Sequence, residues 1–255
     1  MGGMGVGSDP SPVNPSATSA GVAHPGEPHG ANVASRLNRL RAGVLGANDG
    51  IVSVAGIVTG VAGATAARGP ILTAGIAGLV AGAVSMALGE YVSVSSQRDT
   101  ERALLAQERR ELAEAPAQEL RELAALYRAK GLSEQTARTV AEELTNHDAF
   151  AAHAEVELGI DPNELTNPWQ AALASAVSFT VGALLPILAI IIPSKGWRVP
   201  VAFITVLAAL ALTGAISARL GGTSRRAAIA RVVIGGGLGM LVTYGIGRLV
   251  GAAGI

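Results

Sequence analysis

The chain has 255 residues, of which 49% are hydrophobic, 3% aromatic and 15% charged, and its formal net charge is zero. Most of the apolar content comes from Ala, Val, Ile and Leu, alongside 33 Gly, which is typical of a membrane protein. Basic residues do not cluster with aromatic ones, so no nucleic-acid partner is expected. The absence of cysteine excludes disulfides and thiol catalysis, and leaves oxygen, nitrogen or thioether ligands for any metal.

The chain begins with a polar tail and continues into long apolar stretches. Residues 1–33 are rich in Gly, Pro and Ser, which predicts a disordered tail and not a signal peptide. Each of the later stretches is nearly or fully long enough to cross a hydrocarbon core of about 30 Å as a helix. They lie at 50–67, 69–89, 165–194, 199–218 and 232–247. We therefore expect five transmembrane helices, the first beginning near Ala42 and the fifth near Arg226.

A segment of different composition separates the second and third spans. Residues 97–164 carry 15 of the 19 carboxylates and eight of the 19 Lys and Arg residues. Breaks at Pro116 and Gly131 predict three helices, which end near 114, cover 117–130, and run from Ser133 to about Leu158. The predicted fold is an all-α membrane protein: transmembrane helices 1–2 within 34–96, a helical domain over 97–164, and transmembrane helices 3–5 within 165–255.

The distribution of basic residues predicts the orientation of the chain in the membrane. With the N-terminus inside, 15 Lys and Arg residues lie on the cytoplasmic side and four on the other side. Basic residues favour the cytoplasmic ends of spans. The sequence thus predicts a multi-pass protein with a cytoplasmic N-terminus and a cytoplasmic helical domain.

Two carboxylates, Asp49 and Glu90, fall within the apolar spans. A charged side chain at a helix centre costs about 2.5–3.5 kcal/mol on insertion scales, so it usually faces a cavity or partner on an ion or proton route. The alternative is a water interface, since each residue is close to an end of its span. Met86 lies one turn before Glu90 on the same helix face, either as apolar filler or as a soft metal ligand. The Asn48-Asp49-Gly50 run also suggests an irregular helix.

The helical domain contains ligand-type residues in helical register. The pairs that share a face are Glu108 with Glu111, Glu119 with Glu122, and His153 with Glu157. Converging helices would gather them into an oxygen and nitrogen metal site. Interleaved Glu and Arg are equally typical of a solvated helix with ion pairs. Neither histidine of the domain has a Glu three residues before it, which disfavours a ferritin-like oxidase.

Four long stretches carry a family resemblance: GANDGIVSVAGIVTGVAGA, AGAVSMALGEYVSVSSQRDTERALLAQERRELA, HDAFAAHAEVELGI and NPWQAALASAVSFTVGALLPIL. From about Arg36 to the C-terminus, the chain closely resembles the vacuolar iron transporter family. The resemblance implies a homodimer of five-span protomers, whose second span extends into a cytoplasmic three-helix metal-binding domain. It also implies movement of Fe²⁺, and often Mn²⁺, out of the cytosol in exchange for protons.

The resemblance further implies roles for individual residues. Asp49 and Met86 would line the translocation path near the dimer interface, and Glu90 would lie toward its cytoplasmic mouth. The cytoplasmic metal site would be formed by Glu108, Glu111, Glu119, Glu122 and Glu157. Several relatives have methionines before the last of these glutamates, where this chain has His153 and Ala154. We therefore include His153 among the expected metal ligands.

The sequence as a whole predicts a transporter of the plasma membrane, as a bacterial-type member of the family. It would export Fe²⁺ or Mn²⁺ from the cytoplasm with proton coupling, as a homodimer in the lipid bilayer and without a permanently bound cofactor. The alternative is a non-transporting, membrane-anchored metal sensor or scaffold. No enzyme is expected, because no Ser-His-Asp set, metal-hydrolase motif or cofactor loop is present.

Overall fold

The structure is a computed structural model that describes residues 32–163 and 165–254, with side chains from residue 43 onward. The predicted disordered tail therefore lies almost entirely outside the described residues. The chain divides into two units, residues 1–38 and 39–255. In the first unit only the helical residues 32–38 are described, and the second unit contains all the features discussed below.

All regular secondary structure in the described part of the chain is helical. In chain order the helices are α1 Asn32–Ala64, α2 Arg68–Glu114, α3 Pro116–Ala129, α4 Glu134–Val156, α5 Pro168–Ile191, α6 Arg198–Leu220 and α7 Arg225–Ala252. Five of them, α1 from Gly43 onward, α2, α5, α6 and α7, are long and apolar enough to cross a membrane. The predicted all-α fold with five spans is confirmed.

Helix α2 is much longer than a bilayer requires. Its 47 residues extend about 70 Å at about 1.5 Å per residue, whereas a hydrocarbon core measures about 30 Å. Apart from Arg68 and Glu90, its charged residues lie in its second half, and its first half is mostly apolar. The second half therefore projects beyond the membrane and packs there against α3 and α4.

The ends of α3 and the start of α4 lie within one residue of the predicted positions. Pro116 occupies the first turn of α3, where its missing N–H is not needed. Gly131, with a φ of +100°, follows the end of α3. The Ser133 side chain then accepts a hydrogen bond from the Thr136 N–H at 3.3 Å and caps α4.

Helix α1 lies at the centre of the membrane part. On one side Val54 and Val58 pack with Phe179 of α5 and Ile71 of α2. On the other side Ile51 and Ala55 of α1 form a second cluster with Val206, Leu210 and Met240, which lie on α6 and α7. The buried face of α1 between Ile51 and Val58 is consequently held by helices from both halves of the sequence.

The Asn48-Asp49-Gly50 run does not interrupt α1, so the predicted helix irregularity is wrong. A Cβ atom on Gly50 would collide with the carbonyl oxygen of Phe179 on α5. In the same contact, a Cβ on Gly182 of α5 would collide with the carbonyl oxygen of Ala47. Gly50 therefore permits the two backbones to touch, and its role is close helix approach.

Helix α4 is interrupted where the sequence predicts one continuous helix. Asp148 has φ −159° and ψ 93°, which is not helical. Its side chain Oδ1 accepts a hydrogen bond from the Ala151 N–H at 2.9 Å, as in a helix N-cap. The interruption separates a first segment, residues 134–147, from a second segment, residues 149–156.

Candidate metal centre and membrane path

Three predicted ligands from three different helices meet outside the membrane. Glu108 of α2, Glu119 of α3 and His153 of α4 each place a ligand atom within 4.8 Å of the other two. Nδ1 of His153 lies 3.0 Å from Oε1 of Glu108 and 3.9 Å from Oε2 of Glu119. All three residues are buried. We call this set the carboxylate–histidine cluster.

A fourth predicted residue, Glu157, borders the cluster. Its Oε2 lies 3.3 Å from His153 Nδ1, at hydrogen-bonding distance. The Glu157 side chain is 28% exposed, so the cluster is open to solvent on this side. A metal ion would approach past Glu157 and bind Nδ1 in its deprotonated form.

Two buried polar atoms of the cluster have no hydrogen-bond partner within the described part of the chain. They are Oε1 of Glu108 and Nε2 of His153. Oε1 is close to Nδ1 of His153, but the two atoms do not have hydrogen-bond geometry. A buried polar atom without a partner is unfavourable, and a cation bound at Oε1 of Glu108 would satisfy that oxygen. The residues present are thus suited to hold a cation.

The surroundings of Glu108 oppose its ionisation more than water does. Burial raises the pKa of Glu108 above its ordinary value, and the negative charge of Glu157 raises it further. His153 opposes this rise in the pKa, while Glu119 and Glu111 add to it. A divalent cation would reverse the balance, because it stabilises ionised carboxylates.

Glu119 behaves in the same way. Burial is the main cause that raises its pKa, followed by the charge of Glu122, while His153 acts to lower it. Glu111 and Glu157 contribute further to the rise in the pKa of Glu119. The six predicted ligands therefore lie close enough to act on one another electrostatically.

The two remaining glutamates, Glu111 and Glu122, form the rim of this group. Glu111 is half-buried and accepts a hydrogen bond from Nε2 of Gln107 at 2.9 Å. Glu122 is exposed. Each lies three residues after a buried glutamate on the same helix, so the predicted pairs divide into one inner and one outer carboxylate.

Asp49 lies deep in the membrane part. It is half-buried, and its Oδ1 accepts a hydrogen bond from the Ser53 hydroxyl at 2.7 Å. The adjacent Gly50 contacts the backbone of Phe179, which is the twelfth of the 24 residues of α5. At about 1.5 Å per residue, this contact is about 16 Å from the start of α5, half the thickness of a hydrocarbon core. This depth favours a membrane-embedded carboxylate over one at a water interface.

Met86 lies at a similar depth on α2. It is half-buried and packs against the core cluster that contains Phe179. One turn before it, a Cβ atom on Gly82 would collide with the Phe179 ring. Phe179 thus contacts α1 at Gly50 and α2 at Gly82. Along the helix axes, the positions of Asp49 and Met86 consequently differ by no more than about one helical turn.

Glu90 lies near the membrane boundary. The next residue, Tyr91, places its ring centroid 4.7 Å from that of Trp169, at the start of α5. Trp and Tyr are enriched at membrane–water interfaces. This position favours the interface explanation for Glu90, on the same side of the membrane as the helical domain.

The sequence did not predict that three further polar residues would contact the site or shape the helices that carry it. The first is Ser53, which follows Asp49 by four residues, and this spacing could have indicated that the two side chains share a helix face. The Thr213 hydroxyl on α6 donates a hydrogen bond to Oδ1 of Asn48 at 3.3 Å, a contact between residues 165 positions apart that no local pattern reveals. The third, Asp148, stands among other polar residues of α4, where one more acidic residue gives no sign of an interruption.

Together, the fold and these residues define a class: a membrane protein with five candidate spans and a carboxylate–histidine cluster formed by the charged half of α2 with α3 and α4. A sequence model of the VIT family matches residues 40–248, and the chain belongs to this family. A vacuolar iron transporter from Acanthamoeba castellanii is 43% identical over 211 residues, which cover 82% of this chain and 78% of that protein.

Plant relatives match a similar share of the chain. Vacuolar iron transporter homolog 1 from Oryza sativa subsp. japonica is 37% identical over 240 residues, 92% of this chain and 84% of that protein. Vacuolar iron transporter homolog 2.1 from Arabidopsis thaliana is 37% identical over 219 residues, 86% of this chain and 84% of that protein. The expected bacterial-type affiliation stays a prediction.

Proposed function

We propose that the chain is a proton-coupled transporter that exports divalent metal, Fe²⁺ or Mn²⁺, from the cytoplasm. Membership of the VIT family supports transport, and iron is the metal in the names of the relatives. The observation that carries the proposal is the depth of Asp49, about halfway across the spans and level with Met86 to within about one turn. An acidic side chain is costly at this depth and is usually retained for an ion or a proton.

Helix α2 supports a route from the helical domain to Asp49. Glu108, Glu90 and Met86 all lie on this continuous helix. Glu108 is about 27 Å from Glu90 along the axis, and Met86 lies about 6 Å further into the membrane. In the proposed route the carboxylate–histidine cluster collects the ion, Glu90 receives it at the mouth, and Met86 and Asp49 hold it within the membrane.

Proton coupling follows from the chemistry of a carboxylate. Asp49 binds a divalent cation when it is ionised and a proton when it is neutral, so the two compete for the same oxygens. A proton that arrives from the opposite side releases the metal, and metal that arrives from the cytoplasm releases the proton. This alternation exchanges outward metal for inward protons.

The ligand types support a transition metal as cargo. Carboxylates suit Mn²⁺, imidazole suits Fe²⁺ and Zn²⁺, and the Met86 thioether adds a softer ligand within the membrane. The mixture of His153 with Glu108 and Glu119 disfavours Mg²⁺ and Ca²⁺, which prefer oxygen ligands alone. We propose no resident cofactor, because the metal in these sites is the cargo.

A homodimer is supported by polar groups on an outer face of the single chain. Ser53, hydrogen-bonded to Asp49, is exposed, and so is Ile57 one turn further along α1. In a monomer this face would meet hydrocarbon, which is unfavourable for a carboxylate and a hydroxyl. A second copy packed against α1 would shield both groups.

The orientation we propose places the N-terminus and the helical domain in the cytoplasm, in the plasma membrane. Alternating spans bring the α6–α7 turn to the same side as the helical domain. Four exposed arginines lie at this turn: Arg219, Arg225, Arg226 and Arg231. Basic residues favour the cytoplasmic side, so they support this orientation.

The decisive experiment measures metal and proton movement together. Sealed vesicles with purified protein, an imposed pH gradient and an internal pH dye are given Fe²⁺ or Mn²⁺. Wild type and the control Asp99→Asn, which changes an exposed carboxylate of α2, should move metal one way and protons the other. Asp49→Asn should abolish both movements while domain metal binding persists. Equal flux in Asp49→Asn and wild type would overturn the route, and no flux in wild type would leave a metal sensor or scaffold.

A further inference from the structure

The interruption of α4 at Asp148 changes which way the second segment faces. Adjacent helix positions differ by about 100°, so an unbroken α4 would place His153 about 160° from Ala137 and about 120° from Ala141. Both alanines are buried, and Ala141 packs with Leu123 of α3. On an unbroken helix His153 would point away from this contact with α3. In the structure its side chain is fully buried and Nδ1 lies 3.9 Å from Oε2 of Glu119 on α3, so the non-helical backbone at Asp148 redirects the second segment.

The second segment is held in this orientation from both sides. Arg109 follows Glu108 in the sequence of α2. Its guanidinium lies 4.3 Å from the centre of the Phe150 ring. Ala152 packs with Leu123 of α3. The segment thus contacts the two helices that carry the other members of the carboxylate–histidine cluster.

Asp148 supplies the cap that begins this segment. Its Oδ1 accepts from the Ala151 N–H at 2.9 Å, and its backbone leaves the helical region at this residue. The residue is exposed, and its described hydrogen bond is to the backbone of its own helix. Its contribution to the cluster therefore passes through the backbone and not through direct contact.

We propose that Asp148 is a positioning residue for the cluster: by capping the second segment, it turns Nδ1 of His153 toward Glu108 and Glu119. The metal-binding consequence rests on the proposed function, while the rotation of His153 does not. Asparagine or serine at position 148 retains a capping oxygen, whereas alanine removes it and permits a continuous helix.

The first test measures the burial of His153 without any metal. The full-length protein is treated with diethylpyrocarbonate, and modification of each histidine is quantified by mass spectrometry. His147 is exposed and serves as the internal reference. In Asp148→Ala, His153 should become reactive relative to His147, whereas Asp148→Asn should keep it protected. The matched control Ser133→Ala removes the other cap of α4 and should also leave His153 protected.

Far-UV circular dichroism confirms that each variant has retained its helix content. If His153 stays protected in folded Asp148→Ala, the positioning role is overturned. The same result follows if Ser133→Ala exposes His153 as strongly as Asp148→Ala, because general weakening of α4 would then be sufficient.

The second test detects the imidazole on the metal. Pulsed EPR of Mn²⁺ bound to the full-length protein should show nitrogen hyperfine coupling in wild type and Asp148→Asn, with His153→Ala as the zero reference. Asp148→Ala should lose this coupling and bind Mn²⁺ about tenfold more weakly. Unchanged coupling in Asp148→Ala would overturn the positioning role. Absence of coupling in wild type, alongside the expected modification pattern, would instead overturn the proposed metal site and leave the rotation of His153 intact.

Discussion

Nδ1 of His153 lies 3.0 Å from Oε1 of Glu108, and both side chains are buried at the junction of α2 and α4. The two atoms lack hydrogen-bond geometry, and Oε1 has no other partner in the described part of the chain. Nδ1 is instead hydrogen-bonded to Oε2 of Glu157 at 3.3 Å. A cation bound at Oε1 would satisfy that oxygen, and Nδ1 is close enough to share the ion.

Replacement of this imidazole should weaken metal binding by the helical domain. His153→Ala removes the nitrogen ligand and should reduce Mn²⁺ or Fe²⁺ affinity by at least about tenfold, measured by anaerobic titration calorimetry. His147→Ala is the matched control, because His147 is exposed on the same helix. Equal affinity in the two variants would show that His153 is not a ligand.

The raised pKa of Glu119 predicts a conflict between metal binding and stability. Its folded pKa lies above the ordinary value of 4.5, so the folded state holds the proton more tightly than the unfolded state. The stabilisation that protonated Glu119 gives to the folded state is fully present below pH 4.5. It is lost as pH rises through the folded pKa of Glu119. Ionisation of metal-free Glu119 therefore destabilises the folded protein relative to its protonated form.

Glu119→Gln should accordingly raise the melting temperature of the metal-free protein at pH 7 and weaken metal binding. The advantage over wild type should shrink as pH falls toward 4.5, where wild-type Glu119 is itself protonated. Thermal unfolding with a chelator, across this pH range, measures the difference. Glu143→Gln, which changes an exposed carboxylate of α4 outside the cluster, is the control. A Glu119→Gln variant less stable than wild type at pH 7 would contradict this account.

The contact between α1 and α5 predicts that position 50 tolerates only glycine. A methyl group in Gly50→Ala would meet the Phe179 carbonyl oxygen and force the helices apart. Overpacking of this kind costs about 1–3 kcal/mol, so the melting temperature in detergent should fall. The control Gly235→Ala adds a methyl group that meets nothing within 4 Å. If both variants melt like wild type, the contact is looser than the structure indicates.

Much of the fold could be predicted because its signals are local. Uncharged stretches mark the spans, and Pro116, Gly131 and Ser133 mark the ends of α3 and the start of α4. The interruption at Asp148 was missed because an exposed polar residue between apolar ones is equally typical of a continuous amphipathic helix. Gly50 was misinterpreted because glycine is required there by contact with the backbone of Phe179, which lies 129 residues later in the sequence.

The candidate site shows the same division between local and long-range information. Spacing of three or four residues predicts which glutamates share a helix face. It does not reveal that Glu108 and Glu119 are buried while Glu122 is exposed, because the packing of α3 and α4 against α2 decides this. Nor does spacing reveal the depth of Asp49, which follows from the contact of Gly50 with Phe179.

The hydrogen bond between Ser53 and Asp49 predicts a transport defect in Ser53→Ala. The hydroxyl donates to Oδ1 at 2.7 Å and fixes the carboxylate orientation on α1. Hydrogen bonds to charged groups contribute about 1.5–3 kcal/mol, so metal flux in the vesicle assay should fall about tenfold or more. Ser53→Thr keeps the hydroxyl and should retain most of the flux, and Ser93→Ala changes an exposed serine of α2 as the control. Wild-type flux in Ser53→Ala would show that Asp49 acts without this partner.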